Sequence, residues 1–134
     1  PVWVSLTVED NDKGLLRSGE SLEDAVAMLD EFGADAKLLN CSKPEAIAAS
    51  WSKMKSNEGL TGAYANGFTS IDNLKPGGVV TSLESRSDLD PAAYAEFAMQ
   101  WAKQGAGLIG GCCEVGPAHI AELAKRFTEE GYSV

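Results

Sequence analysis

Gly107-Leu108-Ile109-Gly110-Gly111-Cys112-Cys113 is a short apolar segment that ends in two glycines and two adjacent cysteines. A helical pattern opened by Pro117 follows shortly afterwards. Three earlier parts of the chain repeat the arrangement of an apolar run, a loop and an amphipathic helix. Strands that are separated by helices cannot pair as hairpins, so the repeat predicts a parallel sheet with right-handed crossovers.

The four predicted strands are built from β-branched or apolar residues, and they span residues 2–8, 36–40, 60–65 and 108–109. The first predicted helix is capped by Ser21 and stopped by Gly33. The other three begin at Pro44, at Asp90-Pro91 and at Pro117. They extend through Met54, to just before Gly105, and to the neighbourhood of Gly131, respectively. The sequence therefore predicts an α/β chain of four βα units.

Each unit averages about 33 residues, a size that gives roughly 250 residues in a closed eightfold barrel. Four units correspond to half of a (βα)8 (TIM) barrel, so we expect residues 1–134 to form one partial domain. A four-stranded parallel sheet leaves two edges open, which favours either a missing half-barrel or self-association. The chain starts with Pro1 rather than Met, and we expect a processed piece or a fragment of a longer protein.

Composition excludes several classes of function. The chain carries 11 basic and 20 acidic residues without a Lys/Arg cluster, so we expect no nucleic-acid partner. No apolar run approaches the roughly 18 residues that span a bilayer, and no secretory leader opens the chain, so no membrane role is expected. Three cysteines, two of them adjacent, do not make a disulfide framework. A reducing cytoplasmic location fits these free thiols.

The three cysteines share one predicted position in the fold. Cys41 follows the second strand, and Cys112 and Cys113 follow the fourth. Because the carboxyl ends of parallel strands face one way, we expect all three thiols on one rim. Three thiolates with an exchangeable fourth position are typical of a reactive zinc ion. Such an electron-rich zinc is poorly suited to activating water, but it keeps an incoming thiol ionised at neutral pH. This chemistry indicates alkyl transfer onto sulfur.

Four segments together carry a resemblance to a known family: Asn40-Cys41, Tyr64-Ala65-Asn66-Gly67, Gly110-Gly111-Cys112-Cys113 and Pro117-Ala118-His119-Ile120. The chain resembles the homocysteine S-methyltransferase family, whose catalytic domain is a zinc-dependent (βα)8 barrel. The resemblance implies that this chain is the C-terminal half of that barrel. It also implies Zn²⁺ ligation by Cys41, Cys112 and Cys113. Asn66 is then the candidate for the fourth zinc position until substrate thiolate displaces it.

The resemblance implies an activity as well. Zinc-bound homocysteine thiolate would attack the methyl group of a donor and give methionine. The implied partners are homocysteine and a methyl donor such as S-methylmethionine, S-adenosylmethionine, betaine or methylfolate. Residues on the early strands of the family barrel contact the amino acid moiety and the donor, and none can be assigned here. The isolated chain therefore need not be active.

Other interpretations of the same residues stay open. Buried cysteines often serve as small apolar residues, and the zinc site could be structural or vacant in a non-catalytic half-barrel. A thiol redox module is a third interpretation, although no C-x-x-C motif is present. His119 is expected as an ordinary residue at a helix start rather than as a ligand.

Four further expectations concern local environments. Glu9 and Asp10 are expected to be solvated in a loop after the first strand. The three tryptophans, Trp3, Trp51 and Trp101, are expected in the core between sheet and helices. The polar segment 67–89 is too long for an ordinary connection and favours an active-site cover. It lacks the pattern of a phosphate-binding loop.

Overall fold

A computed structural model describes residues 1–56, 58–71 and 79–134 of the chain. Its sheet contains four parallel strands, β1 (Trp3–Leu6), β2 (Ala36–Asn40), β3 (Leu60–Tyr64) and β4 (Leu108–Ile109). They lie side by side in chain order, with Trp3 opposite Ala36, Ala36 opposite Leu60, and Gly62 opposite Leu108. The predicted parallel α/β architecture is confirmed, and the sheet is open rather than closed into a barrel.

The four predicted helices are α1 (Leu22–Glu31), α2 (Pro44–Ser50), α3 (Pro91–Lys103) and α4 (Pro117–Glu129). Ser21 caps α1 by accepting a hydrogen bond from the Asp24 N–H at 3.3 Å, and Asp90 caps α3 in the same way. The predicted helix through Met54 ends as an α-helix at Ser50 and tightens into a 3₁₀ turn, Trp51–Lys53. A second short 3₁₀ turn is Val80–Ser82. None of the helices in the described ranges is long and apolar enough to cross a membrane.

The hydrophobic core lies on one face of the sheet. All four helices contribute buried side chains to a single cluster, together with alternate strand residues such as Leu39, Ala63 and Ile109. The Trp101 and Tyr94 side chains of α3 are fully buried there and meet edge to face, 6.1 Å between ring centres. Within the described ranges, the helices therefore cover one side of the sheet and form no layer on the other.

The uncovered face explains one wrong prediction. Trp51 and Trp101 are buried as expected, but Trp3 is 58% exposed. Exposure alternates along β1: Trp3 and Ser5 are exposed, whereas Val4 and Leu6 are half-buried. Leu60, on the same face of β3, is 49% exposed. Trp3 lies on the side of the sheet that none of the described helices covers. This face presents Trp3 and Leu60 to solvent, whereas Ala36 and Leu38 on the strand between them are buried.

The first strand is shorter than the sequence predicts. Residues 7 and 8, predicted as strand, leave the sheet, and Val8 forms an antiparallel bridge with Leu16.

Lys37 on β2 is fully buried. Its Nζ donates to Ser56 Oγ at 3.0 Å and to the Glu58 carbonyl at 2.7 Å, and it also pairs with Asp30. A buried ammonium group is tolerated here because each donor has an acceptor.

Candidate metal centre

The three cysteine side chains meet at the carboxyl ends of β2 and β4. Their sulfur atoms all lie within 4.8 Å of one another, and Cys112 Sγ is 3.9 Å from Cys113 Sγ. Each cysteine is free and half-buried. Among the described residues, this is the cluster of Cys, His and carboxylate groups that could hold a metal ion. The expectation that all three thiols lie on one rim of the sheet is confirmed.

Cys41 has an unusual backbone conformation. Its φ is +46°, in the left-handed region that costs a residue with a side chain about 1–2 kcal/mol. Its N–H donates to the Tyr64 carbonyl at 3.1 Å, which continues the ladder between β2 and β3 past the end of the strand. The Ser42 hydroxyl, fully buried, accepts from the Val8 N–H at 3.1 Å. Contacts on both sides of Cys41 thus hold a conformation that the residue does not favour by itself.

The adjacent pair Cys112-Cys113 sits in a loop that is tied to the end of β3. The Cys112 N–H donates to the Ala65 carbonyl at 2.9 Å, and the Cys113 carbonyl accepts from the Gly67 N–H at 2.9 Å. Glu114, which follows, has a φ of +64° and reverses the chain. These bonds bring two consecutive thiols to the same side of the rim.

Gly111 leaves no room for a side chain. A Cβ at this position would lie 2.1 Å from Val115 Cγ1 and 2.6 Å from Val115 Cβ. At Gly110 an added Cβ would be 3.8 Å from Tyr64 Cβ, an ordinary contact. The two glycines are adjacent in the sequence, but only Gly111 lies where the structure has no space for a Cβ atom.

This difference gives a testable prediction. Gly111→Ala should displace the turn that carries Cys112 and Cys113, and zinc binding by the expected three-thiol site should weaken at least about tenfold. Gly110→Ala is the matched control and should bind zinc as the unaltered chain does. Competition with a chromophoric chelator measures both. Equal zinc affinity in the two variants would show that the turn at Gly111 does not determine where Cys112 and Cys113 lie.

Asn66 lies beside Cys41 and is fully buried. Its Nδ2 is 4.0 Å from Cys41 Sγ, and its Oδ1 accepts from the Phe68 N–H at 3.1 Å. The Phe68 N–H fixes which end of the amide carries oxygen, since that N–H requires an acceptor. The structure places Asn66 next to the thiols, with its nitrogen rather than its oxygen toward sulfur.

Burial raises the pKa of the Cys112 thiol, and the nearby Cys41 side chain raises it further. Burial also raises the pKa of the Cys113 thiol, and the charge of the neighbouring Cys112 raises it further. Half-buried thiols at this separation resist joint ionisation because their thiolates repel one another. A cation between them removes that repulsion, which is the electrostatic condition for a thiolate metal site.

The thiol cluster also fits zinc by size. Zn–S bonds of about 2.3 Å in a tetrahedron place sulfur atoms roughly 3.8 Å apart. The Cys112–Cys113 sulfur separation of 3.9 Å matches this value, and the third sulfur lies within 4.8 Å of both. Soft thiolates are ligands that zinc prefers. The residues present therefore fit a zinc ion.

Tyr94, on the buried face of α3, is a further neighbour of the site. Its hydroxyl accepts from the Ala65 N–H at 3.1 Å and donates to the Gly110 carbonyl at 2.6 Å. Burial raises the pKa of this phenol far above neutrality, so the hydroxyl keeps its proton. Tyr94 thus joins the ends of β3 and β4, the two strands that precede Asn66 and the cysteine pair.

Two other predictions near the site have different outcomes. His119 Nδ1 accepts from the Gly116 N–H at 3.1 Å, and its Nε2 lies 3.1 Å from the Leu89 carbonyl, so it caps α4 as expected. Asp10, expected in solvent, has a side chain that is only 3% exposed. That expectation is wrong because Asp10 accepts hydrogen bonds from the backbone N–H groups of Lys43 and Ile71.

A cavity of about 480 Å³ opens beside Cys41. Its lining includes Thr7, Arg17, Ser18 and Ile71. A second cavity of the same size lies at the opposite end of the sheet, near Trp51 and Leu60, away from the thiols. The cavity next to Cys41 is large enough for a small amino acid.

The segment 67–89, predicted as a cover, is described only in part, because residues 72–78 lie outside the described ranges. Phe68 forms an antiparallel bridge with Ser85, whose hydroxyl donates to Glu114 at 2.7 Å. Arg86 pairs with Glu45 and Asp88, and this lowers the pKa of the Asp88 carboxyl. The described ends of the segment are therefore attached to the loop that carries the cysteine pair and to α2.

Comparison with known proteins agrees with these features. The sequence profile of the family described as "Homocysteine S-methyltransferase" matches residues 1–127, which include all three cysteines and Asn66. The chain is also similar to the homocysteine S-methyltransferase of Escherichia coli (strain K12), with 32% identity over 129 residues. That match takes in 92% of this chain and 38% of the E. coli protein. The chain thus spans well under half of that relative's length.

Proposed function

This chain belongs to the homocysteine S-methyltransferase family, and from that membership we propose that it takes part in methyl transfer to homocysteine. In the proposed reaction the homocysteine sulfur forms a bond to the methyl carbon, and the bond between methyl and donor breaks. The thiol proton is released, and methionine is the product. The observation that carries the proposal is the cluster of Cys41, Cys112 and Cys113.

We further propose that residues 1–134 are one partial domain, the C-terminal half of a (βα)8 barrel. Four parallel strands in chain order, with helices on one face, support this architecture. The exposed side chains of Trp3 and Leu60 lie on the face that would line the barrel interior. The missing half would come from the rest of a longer polypeptide or from self-association.

Within this half, Cys41, Cys112 and Cys113 would hold Zn²⁺ through their sulfur atoms. A zinc ion bound there lowers the pKa of a substrate thiol from about 8.5, so that the thiol is ionised at neutral pH. Asn66 is proposed for the fourth position, which requires its Oδ1 to release the Phe68 N–H. The cavity beside Cys41 offers room for the homocysteine side chain.

The methyl donor would be bound largely by the other half-barrel. S-methylmethionine, S-adenosylmethionine, betaine and methylfolate all carry a methyl group whose carbon a thiolate can attack, and the demethylated donor is then the leaving group. We place the reaction in the cytoplasm, because three free thiols need a reducing compartment to stay available for metal.

A proton-release measurement tests the proposed function. Homocysteine added to the zinc-loaded chain in weak buffer at pH 7 should release about one proton per site, since the thiol binds as its anion. Homoserine, with a hydroxyl in place of the thiol, is the matched control and should release none. If zinc is firmly bound and homocysteine releases no proton, the result would favour a structural metal in a non-catalytic half-barrel.

A further inference from the structure

Asp10 is a buried carboxylate in the loop between β1 and α1. Its side chain is 3% exposed. Oδ1 accepts from the Lys43 N–H at 3.0 Å and lies 3.4 Å from the Arg17 guanidinium, and Oδ2 accepts from the Ile71 N–H at 3.3 Å. One side chain thus connects its own loop to the segment after β2 and to the segment after β3.

The bond to Lys43 is one of three contacts that surround Cys41. The Thr7 hydroxyl donates to Asn40 Oδ1 at 3.1 Å, just before Cys41. Ser42 exchanges hydrogen bonds with the backbone of Val8, just after it. Asp10 completes the series at Lys43, and all three contacts come from the end of β1 and the loop that follows. Cys41 itself lies between them with its φ of +46°.

We infer that Asp10 is a positioning residue, which fixes the backbone after Cys41 and so places the Cys41 sulfur against Cys112 and Cys113. A left-handed conformation at a residue with a side chain persists only when its surroundings impose it. A carboxylate that accepts backbone N–H groups imposes such a conformation strongly, because its charge strengthens each hydrogen bond. Arg17 offsets the charge of the buried carboxylate. The inference rests on the proposed function, since it concerns how the thiol site is prepared for its metal.

Asp10→Asn tests the inference in the 134-residue chain with zinc ion as the probe. The variant keeps the shape of the side chain but loses its charge and one accepting oxygen. We expect zinc affinity about 10- to 100-fold below that of the unaltered chain, the range typical of residues that orient metal ligands. Asp12→Asn, which removes the same charge from an exposed position of the same loop, should leave affinity unchanged. Chelator competition measures both.

A double-mutant cycle separates positioning of Cys41 from a general loosening of the fold. If Asp10 acts through Cys41, adding Asp10→Asn to Cys41→Ala should change zinc affinity by less than about twofold. Cobalt(II) gives a second readout, because its sulfur charge-transfer absorption should fall by about a third when one of three thiolates no longer binds. An undiminished effect of Asp10→Asn in the Cys41→Ala background would overturn the inference.

Lys43→Pro tests the same hydrogen bond by removing its donor. Lys43 has a φ of −60°, which proline also adopts. The substitution removes the backbone N–H that donates a hydrogen bond to Asp10 Oδ1. It should lower zinc affinity as Asp10→Asn does, so the inference stays testable if either variant alone fails to fold by circular dichroism. If the unaltered chain binds no zinc, the proposed function is wrong and the inference falls with it. If it binds zinc and folded Asp10→Asn and Lys43→Pro bind equally tightly, only the inference is overturned.

Discussion

Cys112→Ala is expected to lower the zinc affinity of the chain by about 100- to 1,000-fold. Zinc sites with four protein ligands bind with an apparent free energy of about 10–16 kcal/mol, so one ligand contributes roughly 2.5–4 kcal/mol. Cys112 is held within 4.8 Å of the other two sulfurs by the bond from its N–H to Ala65. Alanine leaves that backbone bond in place and removes only the thiol. Chelator competition measures the loss, and the proton release caused by homocysteine should disappear with it.

Ser85→Ala provides a control on the same rim. It removes a side chain that donates to Glu114, beside the cysteine pair, and removes no thiol. Zinc affinity should stay within about threefold of the unaltered chain. A Cys112→Ala variant that binds zinc as tightly as Ser85→Ala would show that the thiols are not the ligands. They would then be small apolar residues at the edge of the core.

Gly62→Ala is expected to give the largest loss of stability of any single methyl added to the sheet. A Cβ at Gly62 would lie 2.3 Å from the Leu108 carbonyl oxygen and 2.8 Å from Leu38 Cδ2. Gly62 is paired with Leu108, so the collision is with the backbone of β4 and cannot be relieved by turning a side chain. We expect the free energy of unfolding to fall by about 3 kcal/mol, a shift of about 10 °C in Tm.

Gly110→Ala again supplies the matched control, because its added Cβ meets only Tyr64 Cβ at 3.8 Å. Its free energy of unfolding should change by less than about 1 kcal/mol. Urea titration followed by circular dichroism gives both values. If Gly62→Ala proved as stable as Gly110→Ala, β4 could not be packed against β3 in the described register. The placement of the cysteine pair would then be wrong.

The sheet and its helices are predictable from the sequence because their signals are local. Pro44, Pro91 and Pro117 each open a helix where the sequence predicts one, and Ser21 caps α1. Trp3 is the instructive error. Alternating apolar residues predict that a strand has a buried face, but they do not show which of its two faces a helix covers. The alternation along β1 therefore does not decide whether Trp3 is buried or exposed.

The thiol cluster can be predicted from the sequence, but the contacts that position it cannot. That Cys41, Cys112 and Cys113 come together follows from the rule that parallel strands end on one side. The left-handed backbone of Cys41 and the burial of Asp10 do not follow from it. Both depend on contacts between loops far apart in the chain, such as the one from Asp10 to Lys43. A polar residue after a strand is usually solvated, and no local pattern marks the one that is enclosed by neighbouring loops.

X-ray absorption at the zinc edge gives a direct test of zinc ligation by the three thiols, since it counts the atoms bound to the metal. For the chain purified without added zinc, we predict one zinc ion with three sulfur neighbours and one lighter atom. On addition of homocysteine the count should rise to four sulfur neighbours, and homoserine should leave it at three. A chain that carries no zinc and has three freely titrating thiols would contradict the claim. So would a zinc ion whose sulfur count is the same with and without homocysteine.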